Sequence, residues 1–230
     1  MEDGIRINKY LSEAGYCSRR EADRLIAAQR VTINEKKAVA GDKVLPSDEV
    51  FVDNKRIYHD ETPVVLIYNK PLGVVCSTKE KNNIIDYIGY PKRIYPAGRL
   101  DQNSEGLILL TNQGDIMNSI LKASNYHEKE YIVHVNKPIT DEFINGMERG
   151  VPILNTVTRP CKIKKLSSKS FSIIITQGLN RQIRRMCEYF EYRVVSLKRI
   201  RIMDIELNGL KSGQYIEMSP EDIDNLRAKL

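Results

Sequence analysis

The chain has 230 residues, 41% hydrophobic and 29% charged, a balance that suits a soluble globular protein of one large domain, or a small domain followed by a larger one. No apolar run approaches the ~20 residues that span a bilayer, and the first residues carry neither a signal-peptide core nor a transit pattern, so a cytoplasmic protein is expected. Cys17, Cys76, Cys161 and Cys187 are scattered, without zinc spacing to His59, His127 or His134, which argues against a metal site or disulfide framework and for small buried hydrophobes.

The net charge of +6 is only a weak pointer to a polyanionic partner, but its placement is informative. Residues 6–30 carry Arg6, Lys9, Arg19, Arg20, Arg24 and Arg30 against three acids, and residues 181–201 carry seven cations against two. These two short segments together exceed the charge of the whole chain.

From the N-terminus, residues 5–14 read as a short helix with Ile7 and Leu11 on one face and Gly15 in the C-cap region. A second helix follows, where Ser18 and Glu21 have capping-box spacing and Ala22, Leu25 and Ile26 form the apolar face, leaving Arg19, Arg20 and Arg24 outward. The period then changes to short β-type runs at 31–33, 38–39 and 50–52, separated by turn residues. The polar stretch 58–63 makes a linker between two expected domains, 1–60 and 61–230.

In the second domain, 64–68 reads as a strand, and Pro71 and Gly73 impose a turn before a further β run. Residues 107–110 form a continuous apolar run of the kind that is buried on both faces of a sheet. Asp101, held just upstream beyond Pro96 and Gly98, is then a carboxylate on a loop fixed by a rigid strand. A helix at 115–123 is expected to bury Met117, Ile120 and Leu121, and a strand at 130–135 to present Tyr131, Val133 and Val135 on one face. Helices at 141–149 and 181–190 and a strand at 171–176 complete the pattern, with Ile183, Met186, Cys187 and Phe190 anchoring the last helix. Without regular βαβ alternation, the class is α+β: a mixed, largely antiparallel sheet with flanking helices.

The run Gly98-Arg99-Leu100-Asp101, then Glu105-Gly106, then Leu109-Leu110-Thr111-Asn112, resembles the catalytic motif of pseudouridine synthases, and specifically the RsuA/RluB/RluE/RluF family. Asn69-Lys70-Pro71-Leu72-Gly73, Lys129-Glu130-Tyr131 and Gly178-Leu-Asn-Arg-Gln-Ile-Arg184-Arg185-Met186 have counterparts in the same family. The two-helix unit and small strands of residues 4–57 resemble the S4 RNA-binding domain, an αL-type fold.

That resemblance implies an enzyme that isomerises a uridine in RNA to pseudouridine: the base leaves C1′, turns, and rejoins through C5, with no cofactor and no metal. It assigns Asp101 as nucleophile, Arg99 as its RNA-positioning neighbour, Tyr131 as the ring that stacks on uracil, and Arg184 as the partner of the aspartate. A cation beside a desolvated carboxylate favours its ionised, reactive form. Attack at C1′, attack at uracil C6 and removal of the C2′ proton all remain open for Asp101. The target base must flip out of its stack, at a cost of a few kcal/mol. RNA contacts are implied for Lys9, Arg19, Arg20, Arg24 and Arg30, and for Arg181 and Arg185.

The stretches around Tyr131 and Arg184 look most like the RluF branch, whose substrate is a uridine of 23S ribosomal RNA, with tRNA as a further RNA to consider. Gln113 stands where relatives often carry Asp, and no basic tail follows Leu230; both differences bear on substrate choice. A monomer is expected. The competing reading is a non-catalytic S4-domain RNA-binding or ribosome-assembly protein, against which the intact Arg99, Asp101, Tyr131 and Arg184 set argues.

Overall fold

The structure, a computed structural model, describes residues 4–60, 62–77 and 80–230. It divides into two compact units, one of residues up to Thr62 together with Tyr90–Arg93, the other of Pro63–Gly89 and Ile94–Leu230.

In the first unit, β1 (Ile5–Arg6) pairs with β4 (Lys43–Val44), which is why the helix expected from residue 5 starts two residues later as α1 (Ile7–Glu13). Helix α2 (Arg19–Ala27) begins as its sequence dictates, with Glu21 N donating to Ser18 Oγ at 3.2 Å. A four-stranded antiparallel sheet follows in the order β3 (Lys36–Lys37), β2 (Val31–Ile33), β5 (Val50–Val52), β6 (Lys55–Ile57). The β run expected at 38–39 falls instead at Lys36–Lys37, because Asn34 and Glu35, both with positive φ, close a two-residue hairpin that fixes the register Ile33 to Lys36. Asp53 and Asn54 do the same between β5 and β6. Ile7, Leu11, Ala22, Leu25, Ile26, Val31, Val50 and Val52 form this unit's own core. The Tyr90–Arg93 segment belongs here through Arg93 Nη1, which donates to Cys17 O at 2.6 Å, and Lys92, 2.7 Å from Asp60.

The second unit is built on one large sheet. Its elements in chain order are β7 (Val65–Lys70), α3 (Ile84–Ile88), β8 (Tyr95–Pro96), β9 (Glu105–Thr111), α4 (Gly114–Leu121), β10 (Lys129–Val135) and α5 (Asp141–Arg149). There follow β11 (Pro152–Ile153), β12 (Thr156–Val157), β13 (Lys162–Ser167), β14 (Ser170–Ile175), α6 (Gln182–Tyr189), β15 (Val194–Ile202), β16 (Ile205–Glu206), β17 (Tyr215–Glu217) and α7 (Pro220–Ala228). The strand order is β13-β14-β10-β15-β9-β7-β17, with β16 on β15 and β8 on β9. Among the described pairs of this sheet, β9 with β15 is parallel and the rest are antiparallel.

Strand β9 sits centrally and is buried from Gly106 to Thr111, as its unbroken apolar run requires. One of its faces packs with Val65, Ile116, Ile120, Ile223 and Leu226, so α4 and α7 cover it. Helix α4 buries Ile116 and Ile120, four residues apart, whereas Leu121 is exposed; the face expected from Met117, Ile120 and Leu121 is rotated by about one residue. Among the described residues the β run expected after Pro71-Leu72-Gly73 does not form: β7 pairs with β9 and β17, and beyond the turn Val75 makes an isolated bridge to Asn83.

Candidate active site

Register brings three basic or aromatic side chains onto one row of the sheet. Tyr131 on β10 is opposite Arg199 on β15, Arg199 is opposite Gly106 on β9, and Gly106 is opposite Lys70 on β7. Directly paired residues share a face, so Tyr131, Arg199 and Lys70 line up on the same side. Gly106 makes the row possible: at φ +107°, a Cβ there would lie 2.2 Å from Arg199 O.

Asp101 occupies the turn that feeds β9, with Ser104 N donating to Asp101 O at 3.0 Å. This turn is fastened to the Pro71–Cys76 segment. Gly73 N donates to Gln102 O at 2.9 Å, Gln102 Nε2 returns a bond to Gly73 O at 3.2 Å, and Leu100 N donates to Cys76 Sγ at 3.4 Å. Beneath it, fully buried Lys70 donates to Pro71 O and Val74 O at 2.9 and 2.8 Å. Burial pushes the Lys70 ammonium below its usual pKa, while Asp101 and Glu105 act in the opposite sense.

Two arginines address one carboxylate oxygen. Arg184 Nε is 3.9 Å and Arg181 Nη1 3.7 Å from Asp101 Oδ2, and the Asp101 side chain keeps 32% of its surface open. Arg184 is buried and braced: Nη2 donates to Asn103 O at 2.6 Å and Ser104 Oγ at 3.3 Å, and Nη1 to Val194 O at 3.4 Å. Its Nε is a buried donor without a hydrogen-bond partner among the described residues, and the nearest acid to it is the Asp101 carboxylate. Desolvation first, then Arg181, hold the Arg184 guanidinium below its ordinary pKa, and Asp101 opposes them. Arg181, at the N-cap of α6, has a left-handed φ of 51°, a conformation that costs a non-glycine residue energy.

Arg199 is 3% exposed and has no acidic partner among the described residues. Its Nε donates to Leu107 O at 2.6 Å, Nη1 reaches Tyr131 Oη at 3.4 Å, and Nη2 is a buried donor with no partner among the described residues. Tyr131 itself is 7% exposed, with the Arg199 guanidinium 5.9 Å from its ring centroid. Two residues earlier, Lys129 donates to His127 O at 3.2 Å; burial, then Arg199, push its pKa down to about 8.

Of the residues singled out in the sequence, Asp101 and Arg184 meet directly. Arg181, expected among the RNA contacts, joins them. Arg185 is tied to Asn180 O at 3.1 Å, and Arg99, half-buried, makes no hydrogen bond or ion pair among the described residues. In the first unit Arg19 and Arg20 are exposed, whereas Arg24 pairs with Glu21 at 3.1 Å, Arg30 with Asp53, and Lys9 with Glu13 at 3.7 Å. Lys70, Lys129 and Arg199 went unassigned in the sequence reading. Lys70 ends β7 and Lys129 begins β10, positions that carry no signal of their own, and only Arg199, in step with buried Leu197, sits at an inward position of its strand.

A half-open carboxylate under two arginines, at the head of a buried basic and aromatic row on a mixed sheet, defines a class. The chain belongs to the RNA pseudouridylate synthase family, whose model matches residues 64–189, and an S4 domain model matches residues 5–50. Within that class it is 52% identical to the dual-specificity RNA pseudouridine synthase RluF of Salmonella typhi, over 98% of this chain and 79% of that protein. It is 36% identical to the ribosomal large subunit pseudouridine synthase B of Bacillus subtilis (strain 168), over 97% of this chain and 96% of that protein. A crystal structure of a pseudouridylate synthase superposes with a TM-score of 0.71 at 27% identity, covering 96% of this chain and 99% of that one.

Proposed function

We propose that this pseudouridine synthase acts on a uridine of 23S ribosomal RNA, with Asp101 as the group that attacks or deprotonates the nucleotide. The observation that carries the reading is the convergence of Arg181 and Arg184 on Asp101 Oδ2, at the head of the Tyr131–Arg199–Lys70 row.

The chemistry is an isomerisation in which nothing is gained or lost. The N1–C1′ bond breaks, a C5–C1′ bond forms, the C5 proton departs, and N1 acquires a proton. Each route open to Asp101, at C1′, at C6 or at the C2′ proton, uses a carboxylate oxygen, and Arg181 and Arg184 turn their guanidinium groups toward Oδ2. Arg184 is held by three oxygens of its surroundings, so the charge it offers costs no reorganisation during the reaction. Tyr131 offers its ring to the flipped uracil and its hydroxyl, beside Arg199, to the C5 proton. Arg99, unpaired among the described residues, is available to an RNA phosphate, and Arg185, next to Arg184 on α6, supplies a further cation.

The exposed Arg19 and Arg20 of the S4 unit, with Lys9, Arg24 and Arg30, supply further RNA contacts. The ion pairs of Lys9, Arg24 and Arg30 with Glu13, Glu21 and Asp53 are solvent-exposed and weak, and phosphates replace such partners readily. A similar relative is named a dual-specificity RNA pseudouridine synthase, so a second RNA, with tRNA the candidate, is to be examined.

Carbodiimide mapping of pseudouridine in total RNA, from cells with and without the gene, tests this reading. One 23S site should vanish with the gene and return with the wild-type protein but not with Asp101→Asn. A 23S profile unaffected by the gene refutes the target, and turnover by pure Asp101→Asn protein refutes the role of Asp101.

A further inference from the structure

Beyond the Asp101 site, the second unit carries an exposed aromatic platform that the isomerisation does not use. Tyr126 is 58% exposed and has a left-handed φ of 55°. The guanidinium carbon of Arg159 lies 3.9 Å from its ring centroid. Neither half of the pair is loosely held. On the Tyr126 side, Asn125 Nδ2 donates to Ser119 O at 3.0 Å, and His127 hydrogen-bonds the backbone of the same Ser119. On the Arg159 side, Arg159 N donates to Gln177 Oε1 at 2.7 Å and Nη1 to Thr176 O at 3.2 Å.

The platform sits where two chain segments leave one end of the sheet, each leading on to a residue of the site. Lys129 is opposite Ile175 across β10 and β14, so the segments that hold Tyr126 and Thr176–Gln177 both leave the sheet at that edge. The first leads within five residues to Tyr131; the second leads within five residues to Arg181, on Asp101. The same rim carries exposed Lys122 and the half-buried Arg159 as cations, while burial and the neighbouring Lys129 hold the His127 imidazole below its usual pKa.

We propose that Tyr126, flattened by Arg159, is a stacking site for an unpaired nucleobase that flanks the flipped uridine. The proposal rests on the synthase reading above. A rigid ring with one face held by a guanidinium presents its remaining surface to a π-face of any base, and the basic rim complements the phosphates on either side. Flipping one nucleotide out of a stack leaves its neighbour without a stacking partner, and an aromatic surface at the rim replaces that partner.

The test uses the full-length protein and a synthetic RNA stem-loop carrying the mapped uridine, with a series in which each flanking nucleotide in turn is abasic. Both turnover and Kd by fluorescence anisotropy are read. Tyr126→Ala should raise KM and Kd about tenfold on the parent RNA and leave kcat unchanged, since base–aromatic stacking is worth ~1–3 kcal/mol. Tyr126→Phe should behave as wild type, and Arg159→Lys should fall between. On the RNA that lacks the stacked base, Tyr126→Ala and wild type should bind alike. An equal loss on every abasic RNA, or no loss on the parent, overturns the proposal. A wild type that binds all these RNAs without turnover speaks against the synthase reading, while the Kd series still decides the platform.

Discussion

Lys129 carries an ammonium into a largely buried position beside Arg199, and its protonation should be visible in stability. The folded pKa, about 8, lies below the unfolded value near 10.5, so between those pH values the unfolded chain holds a proton that the folded chain has released. Folding is therefore penalised fully below pH 8, and the penalty fades as pH rises through that window. The shift corresponds to a cost on the order of 3 kcal/mol. Lys129→Met should accordingly be more stable than wild type at pH 7, with the difference shrinking toward pH 10. Denaturant midpoints across that range check it, and a difference that ignores pH rules the buried charge out as its cause. The geometry of the site was only partly legible in the sequence. Asp101 and Arg184 were marked by motif, whereas Arg199 and Lys70 declare themselves only once Tyr131, Gly106 and their strands are in register.

At the level of elements, the junction of β9 with β15 is the most demanding in the fold. Parallel neighbours here approach so closely at Gly106 that a Cβ would meet Arg199 O at 2.2 Å and Arg199 N at 2.7 Å, both backbone atoms that no rotamer change can move away. Gly106→Ala should destabilise the protein by more than about 4 kcal/mol, seen as loss of the cooperative thermal transition. Gly73→Ala is the control: φ is +83° but no atom lies within 4 Å of the added Cβ, so only the backbone term of roughly 1 kcal/mol applies. Similar destabilisation of the two variants would refute the close-approach argument. Local sequence predicted α2 and α5 to within a residue or two, because their caps and apolar faces are encoded within a turn or two of chain. It failed at residues 38–39, where the two-residue hairpin at Asn34 and Glu35 sets the register, and after Pro71, where pairing partners far along the chain decide which extended segment becomes a strand.

For the whole molecule, the proposed RNA contacts fall in two separate basic segments, so affinity is expected as a sum of electrostatic contributions. Replacing Arg19 and Arg20 together by alanine should weaken RNA binding and flatten its salt dependence, since each lost phosphate contact lowers the slope by ~0.7 for single-stranded RNA. Titrations at several salt concentrations measure it, and an unchanged slope removes these arginines from the footprint. What the sequence determined by itself was everything that depends on near neighbours or on an unbroken motif: the class of fold, the two-helix start, the buried strand β9 and the Asp101 turn. Tertiary structure alone decided that Arg181 and Arg184 share one oxygen of Asp101, that Arg199 lies buried without an acid beside Tyr131, and that Tyr90–Arg93 packs with the N-terminal unit. The physical reason is distance along the chain. Arg184 lies 83 residues beyond Asp101 and Arg199 lies 68 beyond Tyr131, and only sheet register and helix packing bring such groups within reach of one another.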